Sequence, residues 1–282
     1  MQKTIKKNIM LFGIGVHSGK ATAIVLRAAS VDHGIVFYNA QFPDEPIHVG
    51  RIIPEKTMHA TVVRQKSWVL STTEHLLAAL IMLGVDNVAI DVQGAEIPIG
   101  DGSALPFVQE ILDCGFEDQI GAKKYLTPKK ELIFNDDQGR KISVSSACNN
   151  DKNLYIDYES DFTHPLVGKN FFSACVTHDC FIQEIAPART FGFLDQLPFM
   201  KKHGLAQGSS LGNTVVIGEH EFINDPRFPD ECIRHKVLDL IGDLGLLGHA
   251  LAGHVKASKT GHNFNRCVVE HFIQNPHDWD VI

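Results

Sequence analysis

The sequence predicts an α+β protein made of two related halves, and three observations predict it. Short apolar runs broken by turn residues recur along both halves, the pattern of antiparallel strands. A polar, basic stretch at residues 123–130 (KKYLTPKK) interrupts the chain and is the best place for a domain boundary, giving domains of 1–125 and 126–282. A faint internal echo relates the halves. Glu74-His75 opens a helix that ends in Leu-Gly and leads to the strand VAIDV, and Arg234-His235 opens one that ends in Leu-Gly and leads to HVKAS.

Taken in order, residues 8–16, 21–29 and 35–40 read as strands joined by turns at HSGK and VDHG. GIGVHSGK lacks the GxxxxGK[ST] spacing of a phosphate loop and reads as a hairpin turn. In residues 67–84 the segment STTE is a capping-box pattern before an apolar helix closed by Gly84. The strand VDNVAIDV, the turn-rich EIPIGDGSALPF and a helix VQEILDCG follow. Strands are expected at 131–136, 141–146, 153–160 and 171–177. Residues 186–212 are long, apolar and without a clean period, and such loops often carry binding function. SKTGHNFNR puts His262 in a glycine-flanked turn, before a last helix from about 266 to 274.

Residues 227–248 carry the strongest helical pattern: Ile233, Val237, Leu240, Ile241, Leu244 and Leu247 recur at three- and four-residue intervals. Asp230 is a plausible N-cap, and Gly245 and Gly248 mark the end. His235, Asp239 and Asp243 form one row on this helix, with Lys236 about 100° round from His235. An imidazole and a carboxylate so spaced can clamp a divalent metal, and a His–Asp ion pair on a solvated face is the plainer alternative. The row runs through an otherwise apolar helix, where unpaired charge is costly. A catalytic zinc usually takes three protein ligands, so a third must come from elsewhere. Glu74 and His75 each have a local explanation, in capping for Glu74, yet together they offer a base and a third ligand.

Composition narrows the class. With 44% hydrophobic and 21% charged residues, a packed core is expected. Lys plus Arg is 26 against 33 acidic residues, a formal charge of -7, which argues against a nucleic-acid surface. The six cysteines form no CxxC pair and read as reduced thiols, and the glycine-broken N-terminal apolar run is too short for a signal peptide or membrane span. A cytoplasmic monomer without a membrane span is expected.

The segments GVHSGK, STTEHLLAAL, DNVAIDV, EIPIGDGSALPFV, PARTFGF, RHKVLDLIGDL and KTGHNFN, in this order, resemble the UDP-3-O-acyl-N-acetylglucosamine deacetylases of lipid A biosynthesis. The resemblance covers nearly the whole chain. It implies two similar domains, each layering a mostly antiparallel sheet against two helices, with the active site where they meet. The implied reaction removes acetate from the 2-acetamido group of a UDP-3-O-acyl-N-acetylglucosamine, the committed step of its pathway. The implied cofactor is one zinc per chain, or ferrous iron, on His75, His235 and Asp239. Glu74 falls on the general base and His262 on the acid or electrostatic stabiliser. Lys236, Thr190 and Asp243 fall on supporting polar positions, and Phe191 on a sugar-contacting aromatic. Lys259 matches a basic residue near the diphosphate, Asp161 and Phe162 a nucleotide-contacting pair, and Lys141 a further contact of that kind. Residues 186–212 match an insert that forms an apolar passage for the acyl chain. Leu205 and Met58 are placed with the substrate contacts, and Phe199 is among the aromatic residues expected in the passage or capping the core.

Three departures from the common pattern stand out. Thr72 replaces the usual Val and, if buried, needs a hydrogen-bond partner. Ser209 replaces a second Gly, and His59 occupies a loop position able to reach the cleft. Competing readings are a zinc hydrolase of another N-acyl or peptide substrate, a catalytically silent binding protein of this fold, and a purely structural set of ion pairs. A zinc peptidase normally carries HExxH, which is absent from the sequence.

Overall fold

The structure, a computed structural model, describes residues 1–57, 59–147 and 151–282; Met58, expected to contact substrate, and Cys148 lie outside the described residues. The predicted strands of the first half form a sheet from β1 (Ile9–Ile14), β2 (Ala21–Ala28), β3 (Ile35–Tyr38) and β5 (Val88–Gln93), to which the unpredicted two-residue β4 (Ile47–His48) adds an edge. The second half builds its own from β6 (Leu132–Asn135), β7 (Lys141–Ser145), β8 (Leu154–Asp161), β9 (Lys169–Cys175) and β10 (Gly253–Ser258). The sheet orders are β1-β2-β5-β3-β4 and β6-β7-β10-β8-β9, so the two sheets share one topology. In each, the last strand enters the middle of the sheet, antiparallel to one neighbour and parallel to the other. The sheets are therefore mostly, not wholly, antiparallel. The parallel pair requires a crossover connection, and a helix lies in it.

Those crossover helices are α1 (Glu74–Met82) and α3 (Glu231–Gly245), and in each half another helix, α2 (Leu105–Cys114) or α4 (His262–Gln274), follows the central strand. Residues 74–80 of α1 are all buried, and α3 is buried along most of its length, as expected of helices at the centre of a molecule. The two pack directly on one another. A β-carbon on Gly242 of α3 would overlap the main chain of Glu74, and one on Gly245 would come within 3.1 Å of Leu77 Cβ. Glycine at these positions lets the helix backbones touch. Beyond the helix ends the halves meet again, where the Gly50 N–H donates to the Leu246 carbonyl at 2.9 Å.

Several local expectations change. The capping box does not form: Ser71 belongs to a short strand (Val69–Ser71), Thr73 sits at the N-cap, and Thr73 makes no side-chain cap bond. Asp230 occupies the N-cap of α3 but bonds Arg234 Nε at 2.6 Å instead of a helix N–H. His262 lies inside α4, whose first turn begins four residues before the expected start. Of the basic boundary stretch, Tyr125–Pro128 is a strand pairing with Trp279–Val281 and Ala250–Leu251. The GIGVHSGK turn is a hairpin, and its anion cradle is filled from within: buried Glu96 accepts the N–H groups of His17 at 2.8 Å and Ser18 at 2.9 Å.

Gly242→Ala should cost about 1–3 kcal/mol, the usual range for overpacking a tight contact. Gly192→Ala should cost little, because a β-carbon there meets nothing within 4 Å. Urea unfolding midpoints of the two variants check this. Equal midpoints would mean the two helices separate without penalty.

Candidate active site

Packing α1 across α3 brings His75 to His235 and Asp239. His75 Nε2 lies 3.7 Å from Asp239 Oδ1, and His235 Nε2 lies 3.3 Å from the same oxygen. One donor atom from each of the three residues falls within 4.8 Å of the others, and all three are buried. A tetrahedral metal with bonds of about 2.0–2.1 Å holds its ligand atoms roughly 3.3 Å apart, so the spacing fits. The donor chemistry fits as well. His235 Nδ1 faces the Ala188 carbonyl at 3.0 Å, which assigns the proton to Nδ1 and leaves the Nε2 lone pair pointing at the cluster. Burial pulls the pKa of His235 down to about 4, which favours the neutral ring a metal ligand needs. His75 Nδ1 is buried with no hydrogen-bond partner among the described residues.

The charges around this cluster are sorted by environment. Burial opposes the charge on Lys236, but Asp239, which accepts from its Nζ at 2.8 Å, outweighs it and raises the lysine's pKa. Burial would likewise protonate Asp239, yet its imidazole neighbours and Lys236 hold it well below the usual carboxylate range. His262 also resists burial: Asp243, with both oxygens 3.0 Å from Nδ1, and Asp239 push its pKa up to about 9. A divalent cation in the cluster would lower that value again by like-charge repulsion. Glu74 moves the other way for a carboxylate. Burial raises its pKa, partly offset by His262 and His75. His262 Nε2 stands 4.0 Å from Glu74 Oε1 and 3.7 Å from Asp239 Oδ2. A second possible metal group, Glu74, Asp239 and His262, therefore overlaps the first. It would take up both side chains suited to moving protons.

The cluster lies at the wall of a cavity of about 380 Å³. Glu74, His75, Thr190, Phe191, His235, Lys236, Asp239 and His262 all reach it, and Leu194, Leu197 and Met200 extend it as an apolar lining. Leu197 and Met200 lie on a short helix (Leu197–Lys202) in the stretch read from sequence as aperiodic. Leu205 and Phe199 do not line the cavity. The chain turns through positive φ at Gly204 and Ala206, so Ala206 faces inward, and Phe199 points out against His203. Lys141, Asp161, Phe162 and Lys259 also stand outside it, but together at one end of the second sheet. Lys141 is opposite Ser258, Lys259 pairs with Asp161 at 2.5 Å, and Phe162 packs on Phe191 with ring centroids 5.6 Å apart. Thr72 finds its expected partner in Glu96, 3.2 Å away. Ser209 lines the cavity and bonds Thr214 at 3.1 Å, and His59 reaches the cavity beside His17.

Residues 2–274 match the family described as UDP-3-O-acyl N-acetylglycosamine deacetylase. The chain belongs to this family. Curated relatives named UDP-3-O-acyl-N-acetylglucosamine deacetylase include one from Syntrophotalea carbinolica, 40% identical across 100% of this chain and 90% of its own. One from Haemophilus influenzae is 37% identical, and one from Pasteurella multocida is also 37%, each across 100% of this chain and 92% of its own. Membership implies a metal-dependent enzyme, in keeping with the donor set described above.

Sequence reasoning missed the residues that hold this deacetylase-family site in shape. Glu231, at the start of α3, accepts from the Arg189 N–H at 2.8 Å and from its guanidinium at 2.9 and 3.2 Å. That pair fixes the Ala188 carbonyl on one side of Arg189 and Thr190 on the other. Arg227 bridges from the same helix start to Asp101 of the first half at 2.8 Å. Thr61 bonds both Glu74 and Asp243. No sequence spacing pointed to these networks, since their partners lie far apart in the chain.

His75→Ala should abolish tight metal binding, while His262→Ala should keep one metal per chain, and elemental analysis after dialysis measures both. Retention by His75→Ala with loss by His262→Ala would move the metal to the overlapping group.

Proposed function

We propose that this protein is a zinc-dependent deacetylase of UDP-3-O-acyl-N-acetylglucosamine, releasing acetate and a free amine on the sugar. The carrying observation is the juxtaposition in one cavity: a three-ligand metal group, two proton-handling side chains in opposite states, and an apolar extension. Two imidazoles and one carboxylate suit zinc, with ferrous iron compatible with the same donors. Bound there, the metal would supply Lewis acidity, polarising the acetamide carbonyl and activating water.

The chain's own residues do the rest. Glu74, whose carboxylate is kept basic by burial, takes the proton from the attacking water. As the amide carbon becomes tetrahedral, negative charge grows on its oxygen. Lys236, a buried cation lining the cavity, and Thr190 beside it are placed to oppose that charge. His262, held charged by Asp243, gives its proton to the departing nitrogen, which leaves only as an amine. Water adds its oxygen to the acetyl carbon, the C–N bond breaks, and the water's two hydrogens end on acetate and amine as acid and base equilibrate.

Substrate recognition follows the layout. Leu194, Leu197, Met200 and Ala206 line the passage we assign to the acyl chain, with Phe191 against the sugar. Lys259, Asp161, Phe162 and Lys141, grouped at one sheet end next to Phe191, face the expected UDP moiety. The five described cysteines are all free, which suits a reducing compartment, and we take the cytoplasm as the place of action. The enzyme is proposed to act as a monomer.

Glu74→Gln should keep fold and metal but lower kcat at least roughly 10²-fold, as loss of a general base does. Normal kcat with intact metal would reassign Glu74 to a structural role.

Shortening the acyl chain by four methylenes should lower kcat/KM roughly a hundredfold, because each buried methylene is worth about 0.8 kcal/mol and about 1.4 kcal/mol is tenfold. Leu197→Asp should flatten that dependence. A flat length series in the unaltered protein would remove the passage.

A further inference from the structure

The two groups that handle protons stand on different halves of the molecule, Glu74 on α1 and His262 on α4. Their spacing has to be set by something that touches both. Thr61 does so. It ends the loop between β4 and a short strand (Val62–Arg64), and only 3% of it is exposed. Its backbone N–H donates to Glu74 Oε2 at 3.0 Å. Its hydroxyl donates to the carboxylate of Asp243 and lies 3.3 Å from His262 Nδ1.

We propose that Thr61 is the positioning residue that sets the general base and the acid against each other, acting on Glu74 directly and on His262 through Asp243. The assignment of those two roles rests on the deacetylase reading. The physical case rests on the bonds themselves. Glu74 and Asp243 both carry buried carboxyl oxygens, and such oxygens need hydrogen-bond donors. Asp243 takes three: His262 Nδ1–H at 3.0 Å, Asn265 Nδ2 at 2.7 Å and the Thr61 hydroxyl. With its proton given to Asp243, the Thr61 oxygen presents a lone pair to His262 Nδ1–H. The imidazole is thereby gripped on its Nδ1 side by two acceptors, and Nε2 is turned toward Glu74 and Asp239. A β-branched side chain suits this work, since its stiff χ1 holds the hydroxyl at a fixed offset from the residue's own N–H. The distance from base to acid is then built into one residue instead of two flexible arms.

Thr61→Val keeps the shape and the N–H and removes only the hydroxyl. We expect one metal per chain, KM within about twofold and kcat at least tenfold lower, with Thr61→Ser within about threefold of the unaltered protein. In proton spectra of the metal-free protein, the far-downfield His262 Nδ1 proton, assigned by its loss in His262→Ala, should shift and exchange faster in Thr61→Val. Should valine unfold the protein, Thr61→Ala repeats the comparison. A kcat within threefold of normal for the hydroxyl-free variant, a change in KM alone, or a serine variant as slow as valine would overturn the proposal. If the unaltered protein releases no acetate from the UDP-sugar, the deacetylase reading fails separately. The His262 proton then decides: unchanged in Thr61→Val, it overturns the positioning role.

Discussion

Everything in the site depends on how closely α1 lies against α3. At Gly242 there is no side chain between the helices, and the main chain of Glu74 occupies the space a β-carbon would need. His235, Asp239 and Asp243 share one helical face, and Gly242 lies on it beside Asp243. The approach therefore lowers the first turn of α1 onto that row. Asp239 then meets His75, and Asp243, one turn further along, is left free to bind His262 on α4. A larger residue at 242 would part the helices and separate ligands contributed by the two halves. Duplicated topology makes this meeting possible, because each sheet sends its crossover helix inward to the same plane.

The burial of so much charge is costly, and the arrangement shows how the cost is offset. Glu74, Asp239 and Asp243 are buried carboxylates, faced by one ammonium on Lys236 and one imidazolium on His262. Three buried carboxyl groups crowd two cationic side chains, and a divalent cation in the cluster would add positive charge among them. The same bookkeeping explains why Arg189 and Glu231 pair deep under the site, since neither could be buried alone. Stability and chemistry use one set of interactions here. The partners that bond each acid also aim it.

How much of this was legible in the sequence follows from what each residue interacts with. The row on α3 was legible because helical spacing fixes which side chains share a face, and His75 because a third ligand was required. The strands of both sheets were legible through their alternation and turns, except the two-residue β4. The repeated topology was visible only as an echo, and the echo itself misled in detail: His75 is the second residue of α1, while His235 is the fifth of α3. They are not equivalent positions and meet only through the crossing. Glu74 suits a cap when read alone and a base when read with His75; positive φ at Thr72 turns the chain, and Glu74 reaches the cavity. Thr61, Arg189 and Glu96 carried no pattern at all, since their partners are distant in sequence. Leu205 and Ala206 exchange roles through a backbone turn that apolar content does not encode.

X-ray absorption at the metal edge of the zinc-loaded protein tests the central claim directly, that α1 and α3 together build one metal site. Two imidazole nitrogens and one protein carboxylate oxygen at about 2.0–2.1 Å are expected, completed by solvent, with no sulfur scattering. A shell with one imidazole and two carboxylates, the signature of Glu74, Asp239 and His262, or any shell containing sulfur near 2.3 Å, would contradict it.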